Sequence, residues 1–364
     1  MALRLRRAEV PLTDAWREVP VRTRGATQLG ISFRGPAAEA MGLEPVATLD
    51  ALLALPFPII RLGANWTRLE PVRGAFVPDE LDRQVEAAER AGKQVILCLG
   101  PVKTFGYPEF FVPDHHLPAP LPEGRLVTPS SHPDLLVAAV AFAVRLVERY
   151  RRCPAVVAWQ VEHEAVDPLG VEHTWRLSAA FVEEEVRAVR TADPDRPIVM
   201  NGFLPLSTPV RLMQWWRCRD QGDSFAVAQR LADIVGVDCY PCHALVRMAG
   251  RTLYLDGADR PWPGPLPARL QAWAGRPGRR LMVSEGQAEP WETVAAPPSP
   301  ANAVMRSCPP ERVIGTYNEC MTWAGASDAS LWAYLFWGAE YWIRRQRSGD
   351  ASYLGAFLRV LEES

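Results

Sequence analysis

Short apolar runs and longer amphipathic segments alternate along the chain. The short runs are rich in β-branched residues and are bounded mainly by glycine or proline, which is typical of β-strands. The longer segments place apolar residues at i, i+3 and i+4, which predicts helices over residues 79–93, 134–152 and 177–192 among others. The predicted strands cover residues 28–33, 57–63, 94–100, 155–161, 196–202, 233–240, 279–285 and 329–337.

This alternation predicts the fold class. A strand followed by a helix, repeated eight times, is typical of a (β/α)8 barrel rather than of a doubly wound sheet. No GxGxxG or GxxxxGK[ST] motif is present. We therefore predict one domain over residues 1–364, in which residues 1–26 form an N-terminal extension to a (β/α)8 barrel.

Three long segments rich in proline and aromatic residues interrupt the pattern. They cover residues 101–133, 241–267 and 286–310, and they directly follow the predicted third, sixth and seventh strands. Loops that follow barrel strands lie on the C-terminal face, where active sites of this fold are built. We expect these segments to form the walls of a binding site.

Composition narrows the class of protein. Hydrophobic residues make up 48% and charged residues 23% of the 364 residues, which is ordinary for a globular protein. The net charge of −2 comes with no long run of either sign, which argues against nucleic acid and membrane surfaces as partners. No apolar segment is long enough for a signal-peptide core or a membrane span, so we predict a cytoplasmic protein.

Cysteine and histidine do not predict a metal centre. The seven cysteines are odd in number and form no paired CxxC clusters, so we expect free thiols. Only Cys239 and Cys242 are close, and two ligands do not make a zinc site. No ligand-like spacing relates the scattered histidines, and we predict neither a metal nor an organic cofactor; those histidines are His115, His116, His173 and His243.

The stretch WQVEHEAVDP, residues 159–168, sets the end of an apolar strand against Glu162, His163 and Glu164. A carboxylate there is costly to desolvate unless it is paired or used. His163 and Glu164 imitate the zinc motif HExxH, but Asp167 stands where the second histidine belongs, so a metal site is disfavoured. This stretch alone leaves open a structural ion pair and a catalytic acid at the end of a barrel strand.

A second carboxylate favours the interpretation of Glu164 as a catalytic acid. RRLMVSEGQAEPW places Glu285 at the end of the seventh predicted strand, whereas Glu164 follows the fourth. Two carboxylates from different strands on one face can cleave a glycosidic bond, because one protonates the leaving oxygen while the other attacks or assists at the anomeric carbon. We therefore predict that Glu164 and Glu285 are catalytic.

Five motifs occur in the order of a known family. IIRLGANWTRLEPVRGAF with DRQVEAAERAGKQVILCLGP, then VVAWQVEHEAVD, DIVGVDCYP, LMVSEGQAEPW and LFWGAEYW, occupy the regions of the second to eighth strands. In these motifs the chain resembles the clan A glycoside hydrolases, in particular the cellulase-like members and those of families 42, 35 and 5. The resemblance covers most of the chain.

The resemblance implies a (β/α)8 retaining β-glycosidase that acts on a carbohydrate. In such an enzyme Glu164 would be the acid/base and Glu285 the nucleophile. Arg61 would hold the nucleophile ionised and Tyr240 would hydrogen-bond it, because both groups favour a charged carboxylate. Trp337 would form the floor of the sugar subsite.

One position departs from the family pattern. The family has asparagine before the acid/base, where its amide contacts the sugar 2-hydroxyl, and this chain has His163. We expect His163 to line the pocket, with Asn65 and Trp291 as further candidates for substrate contacts and Glu162 as a structural residue. Two other functions stay open: a carbohydrate-binding or regulatory barrel that has lost turnover, and another (β/α)8 enzyme such as a lyase or a metal-dependent hydrolase.

Overall fold

The structure of the protein is a computed structural model. The structure describes residues 4–7, 9–105, 112–122, 124–167, 175–248, 251–256, 266–291, 299–325 and 331–364. Part of the predicted loop after the third strand lies outside the described residues. His173 also lies outside them.

Eight parallel strands close into a barrel, which confirms the predicted (β/α)8 fold. Around the barrel they follow the order of the chain, and each lies inside or within two residues of its predicted run. Nearly all their residues are buried, as expected of parallel strands covered by helices. The barrel strands are β3 (Gln28–Ser32), β4 (Ile59–Gly63), β5 (Gln94–Cys98), β7 (Val156–Gln160), β9 (Ile198–Phe203), β10 (Ile234–Cys239), β13 (Arg280–Gln287) and β15 (Ala333–Trp337).

Helices follow most barrel strands and bury an apolar face. The three predicted helical segments form α4 (Asp79–Arg90), α5 (Pro133–Tyr150) and α6 (Ala179–Ala192), and the other helices lie where the alternating pattern leaves room for them outside the barrel strands. The helices are α1 (Gly35–Ala40), α2 (Pro45–Leu53), α3 (Trp66–Leu69), α4 (Asp79–Arg90), α5 (Pro133–Tyr150), α6 (Ala179–Ala192), α7 (Thr208–Cys218), α8 (Ser224–Leu231), α9 (Leu266–Ala274), α10 (Pro310–Gly325), α11 (Ala339–Arg347) and α12 (Ser352–Glu363), with 3-10 helices at Ala15–Arg17 and Asp114–His116.

The chain divides into two compact units. The first contains Met1–Pro58, Leu204–Val210 and Val237–Ser364, and the second contains Ile59–Phe203 and Arg211–Gly236. One domain over the whole chain stays a prediction.

In the first unit, the N-terminal extension and the long loops contain strands that the sequence pattern did not predict. The segment after the sixth barrel strand forms a hairpin of β11 (Cys242–Met248) and β12 (Arg251–Asp256), and β1 (Arg4–Arg7) pairs antiparallel with β12. In the same unit β2 (Glu9–Pro11) pairs antiparallel with β14 (Ala303–Met305).

In the second unit, the described part of the long loop after β5 is also ordered. A short strand β6 (Leu126–Val127) pairs in parallel with β8 (Arg176–Leu177). The Trp66 indole is fully buried and stacks on Phe142 of α5, with ring centroids 5.0 Å apart.

Among the described residues, no helix is both long enough and apolar enough to cross a membrane.

Candidate active site

The backbone around Glu164 adopts an uncommon conformation. Glu162 has φ 57° and Glu164 has φ 43°, and within the described part of the chain these are the only non-glycine residues with positive φ. A left-handed conformation costs a non-glycine residue about 1–3 kcal/mol and persists only where the surroundings hold it. Contacts from neighbouring segments must therefore fix the turn that carries Glu164.

Glu162 supplies one part of that support. Its carboxylate accepts hydrogen bonds from the backbone N–H groups of Val102 (3.0 Å) and Lys103 (2.5 Å), in the segment that follows β5. Only 1% of the surface of Glu162 is exposed. The residue expected to be structural is thus engaged with a neighbouring loop.

Lys103 completes the link between the two loops. Its ammonium group donates to the carbonyl oxygens of Glu164 (2.6 Å) and Asp167 (2.9 Å), and its own carbonyl accepts from the His163 N–H (2.8 Å). The two bonds from the ammonium group are charge-assisted, and such bonds are about twice as strong as neutral ones. Together with the neutral bond from the His163 N–H, they hold the backbone on both sides of the Glu164 side chain.

A second buried carboxyl lies behind Glu162. Glu185 of α6 has no exposed surface. Burial raises the pKa of Glu185 well above its usual range, and the neighbouring charge of Glu162 raises it further. Burial also raises the pKa of Glu162, against the lowering effect of the Val102 and Lys103 donors. This pair therefore holds a proton at pH values where exposed glutamates have lost theirs.

Asn201 and Gln160 connect Glu164 to Arg61. The Asn201 Oδ1 accepts from the Glu164 N–H and from the Gln160 Nε2, each at 3.2 Å. The Gln160 Oε1 accepts from Arg61 Nη1 at 3.2 Å. The Arg61 guanidinium has no exposed surface and lies 4.0 Å from the ring centroid of Phe105. Its expected role beside the nucleophile stays a prediction.

Two further predicted site residues lie in this unit. His163 is buried, and Asn65 is nearly so, directly after β4 and before α3. The neighbouring Trp66 packs in the interior and donates from Nε1 to the Glu70 carboxylate at 2.7 Å. Trp66 is therefore a packing residue.

In the first unit, Glu285 lies within β13, at a point where the pairing with β15 shifts register between Val283 and Gly286. It is the sixth residue of β13 and is buried. The Tyr240 hydroxyl, directly after β10, donates to Glu285 Oε2 at 2.5 Å, which is the contact that the family resemblance implies. A short hydrogen bond from a phenol stabilises the charge of a carboxylate. The role of Glu285 as nucleophile stays a prediction.

Aromatic rings surround this part of the site. The Trp291 ring lies 5.0 Å from that of Tyr240, and Trp291 is 38% exposed. Trp337, the last residue of β15, is buried, and the Arg34 guanidinium lies 4.2 Å from its ring centroid. The expected contacts of both tryptophans with a sugar stay predictions.

A buried ion cluster near Glu285 was missed by the sequence analysis. Arg34 follows β3 and bonds Glu289 through Nη1 and Glu340 through Nη2, each at 2.7 Å. Burial raises the pKa of Glu289, the Arg34 charge opposes that rise, and the charges of Glu340 and Glu285 add to it. The available signal was a charged residue two or three positions after the end of each of three barrel strands.

Two glycines allow close approaches in this region. A Cβ on Gly286 would lie 2.0 Å from the hydroxyl of Tyr334, and one on Gly338 would lie 2.4 Å from the Glu289 Cβ. Gly338 also has φ 121°, where side chains are rarely tolerated. The residues that follow Glu285 and Trp337 in the chain are therefore restricted to glycine by space.

The comparisons with known proteins agree with this fold and these motifs. A family model described as beta-galactosidase, of glycoside hydrolase family 42, matches residues 57–173, about a third of the chain. The matched segment contains the motifs around Arg61, Asn65 and Glu164. No curated protein matches the sequence.

Three solved structures with the same fold are remote in sequence from this chain. GH5_18 from Streptomyces cattleya in complex with GlcNAc is 16% identical, with 93% of this chain and 81% of that chain covered and a TM-score of 0.52. The endo-beta-1,4-xylanase of family 10 from Gloeophyllum trabeum is 17% identical, with 88% and 87% covered and a TM-score of 0.53. Xylanase B from Clostridium stercorarium F9 is 15% identical, with 90% and 89% covered and a TM-score of 0.52.

These matches confirm the resemblance to the clan A glycoside hydrolases. Their identities are too low to carry over a substrate, and the likeness of the structures shows the fold.

Proposed function

We propose that the protein is a cytoplasmic retaining β-glycosidase, with Glu164 as acid/base and Glu285 as nucleophile. The observation that carries the proposal is the 2.5 Å hydrogen bond from Tyr240 to the buried Glu285 on the seventh barrel strand. A nucleophilic carboxylate must be ionised near neutral pH, and a phenol donor favours that state. The family match and the order of motifs support the same assignment.

The reaction has two steps. In the first, Glu285 attacks the anomeric carbon while Glu164 protonates the departing glycosidic oxygen, and a covalent glycosyl-enzyme forms. In the second, Glu164 takes a proton from water, the water oxygen attacks the anomeric carbon, and Glu285 leaves. Two inversions retain the configuration, and this mechanism requires a separation of about 5 to 5.5 Å between the two carboxyl groups.

The proposed substrate is a carbohydrate, since the structural neighbours are described with different carbohydrates. One structural neighbour is described with GlcNAc and another, 16% identical with a TM-score of 0.55, with Manβ1-4GlcNAc, whereas the neighbours of family 10 are xylanases. We therefore propose β-glycoside hydrolysis as the reaction class, with Arg61, Asn65, His163, Trp291 and Trp337 as candidate substrate contacts.

Rescue chemistry tests the assignment of roles. On an aryl β-glycoside, Glu285→Gly is expected to abolish turnover, and added azide is expected to restore it with inverted anomeric configuration. Rescue of Glu164→Gly by azide is expected to retain configuration. The exposed substitution Glu86→Gln is the matched control and keeps wild-type turnover. Swapped stereochemistry would reverse the two roles, and full activity of either glycine variant would exclude the mechanism.

His163 supports a second candidate, a carbohydrate-binding barrel without turnover. A neutral histidine can donate to a sugar hydroxyl, but a charged one lowers the pKa of the adjacent acid and weakens it. Binding of glycosides without hydrolysis across an aryl β-glycoside panel would favour this candidate. If the chain does hydrolyse, His163→Asn is expected to keep the penalty for a 2-deoxy substrate that His163→Ala loses.

A further inference from the structure

Three side chains of the second unit converge outside the proposed catalytic residues. Glu70 follows α3, and His115 and His116 lie in the 3-10 helix after β5. His116 Nε2 is 3.1 Å from Glu70 Oε2, and His115 Nε2 is 3.6 Å from Glu70 Oε1. One ligand atom from each of the three residues lies within 4.8 Å of the other two.

These separations match the edges of a metal coordination shell. Zinc binds imidazole nitrogen at about 2.0–2.1 Å and carboxylate oxygen at about 2.0–2.2 Å, so two ligands of one tetrahedral ion lie about 3.4 Å apart. The two nitrogen to oxygen distances lie on either side of that value, although they run to different oxygens of Glu70, 3.1 Å to Oε2 from His116 and 3.6 Å to Oε1 from His115. With one oxygen of Glu70 as the ligand, the three ligand atoms still lie within 4.8 Å of one another. Two imidazoles and a carboxylate are also a donor set that zinc accepts.

Hydrogen bonding to Glu70 accounts for the position of His116 but not for that of His115. His116 Nε2 is within hydrogen-bond distance of Glu70, but His115 Nε2 is buried and has no hydrogen-bond partner among the described residues. A buried polar nitrogen without a partner is unfavourable and calls for an explanation. An ion between the three side chains would be the partner of His115 Nε2 and would replace the hydrogen bond between His116 Nε2 and Glu70.

The surrounding contacts hold the three groups in place. The Glu70 carboxylate accepts from Trp66 Nε1 at 2.7 Å and from the Gly74 N–H at 2.8 Å, and the Trp66 ring lies 4.7 Å from that of His116. Hydrogen bonds that orient a ligating carboxylate are usual around metal sites and raise their affinity.

We propose that Glu70, His115 and His116 bind one divalent transition metal ion, Zn²⁺ first, with water as the fourth ligand. The ion would join the segment after β4 to the segment after β5. The histidine spacing alone did not predict this site, because its carboxylate comes from a different loop. The proposal does not depend on the glycosidase assignment.

Metal content and affinity test the proposal on the full chain. Protein stripped with a chelator is expected to take up one equivalent of Zn²⁺ per chain, with a rise in Tm. His115→Gln, His116→Gln and Glu70→Gln are each expected to weaken binding about 100-fold, since removing a ligand costs at least as much as removing its hydrogen-bond partner. His132→Gln, at an exposed hydrogen bond to Ser131, is the matched control and keeps wild-type affinity.

Cobalt provides a second reading that does not depend on stability. Co²⁺ bound to the stripped wild type is expected to show the visible absorption of a four-coordinate site, and His115→Gln is expected to lose it while keeping a native circular dichroism spectrum. Equal Zn²⁺ affinity of wild type and His115→Gln would overturn the proposal. So would loss of binding on Cys153→Ser alone, which would assign the ion to the half-buried thiol.

Discussion

The regions around Glu164 and Glu285 hold their carboxylates by different means. Glu164 lies in a turn with two left-handed glutamates, which the loop after β5 supports through the Lys103 N–H on the Glu162 carboxylate and the Lys103 ammonium on the Glu164 carbonyl. Glu285 lies within a strand at a shift of register and has ordinary strand backbone, and the Tyr240 hydroxyl donates to its side chain. A strained turn depends on every neighbour that holds it, whereas a strand residue depends on a few side-chain contacts. The two regions should therefore respond differently to substitution.

The largest expected effect lies near Glu285. Arg34→Met leaves the carboxylates of Glu289 and Glu340 buried without their cation, which should destabilise the protein by about 3–5 kcal/mol. Arg17→Met, which removes an exposed pair with Asp14, is the control and should cost less than about 1 kcal/mol. Urea unfolding measures both, and equal effects would show that burial of the cluster has no energetic consequence.

Gly286→Ala tests the space beside Glu285. The added methyl group would overlap the Tyr334 hydroxyl, so either the strand or the ring must move, at a cost of about 1–3 kcal/mol. We also expect kcat to fall, because the shift would displace Glu285. The control is Gly315→Ala in α10, where a Cβ meets nothing within 4 Å and should stabilise the helix. Unchanged activity of Gly286→Ala would show that the strand can yield at this point.

The buried pair of Glu162 and Glu185 makes the Glu164 region sensitive to pH. Because the pKa of each is raised in the folded state, their contribution to stability is complete below the ordinary pKa near 4.5 and is lost as pH rises through the folded values. Glu185→Gln should flatten this fall and stabilise the protein at pH 7. Unfolding free energies measured at several pH values test this, and parallel curves for wild type and variant would contradict it.

The smallest expected effect concerns Asn201. Asn201→Ala removes the acceptor of the Glu164 N–H and should cost about 1–2 kcal/mol of stability. Because this acceptor helps to hold the strained turn, kcat should fall more than KM changes. Asn201→Asp keeps the oxygen acceptor for the Glu164 N–H and is expected to recover part of kcat. A loss confined to stability would make Asn201 a structural residue alone.

The barrel could be predicted because local patterns specify it. Each buried strand is an apolar run with its own boundaries, and the amphipathic helices between them follow the 3.6-residue period. The hairpin of β11 and β12 could not be predicted in this way. Its strands lie in a segment rich in proline and glycine, and its partner β1 is far away in the sequence.

The candidate site divides in the same way. Glu164 and Glu285 were predicted because a carboxylate at the end of an apolar run can be recognised from the sequence alone. Lys103 and Arg34 were not found, because their importance comes from partners that only the fold brings near. The left-handed φ of Glu162 and Glu164 also had no signal, since glutamate is not a residue that favours that conformation.

The pairing of β1 with β12 and of β2 with β14 has a consequence for how the chain folds during synthesis. Residues 4–11 leave the ribosome long before their partners in residues 251–256 and 303–305 exist. Until then their backbone groups have no strand to pair with, and closing so long a loop carries an entropic cost. We therefore expect these two small sheets to form last, after the barrel has assembled.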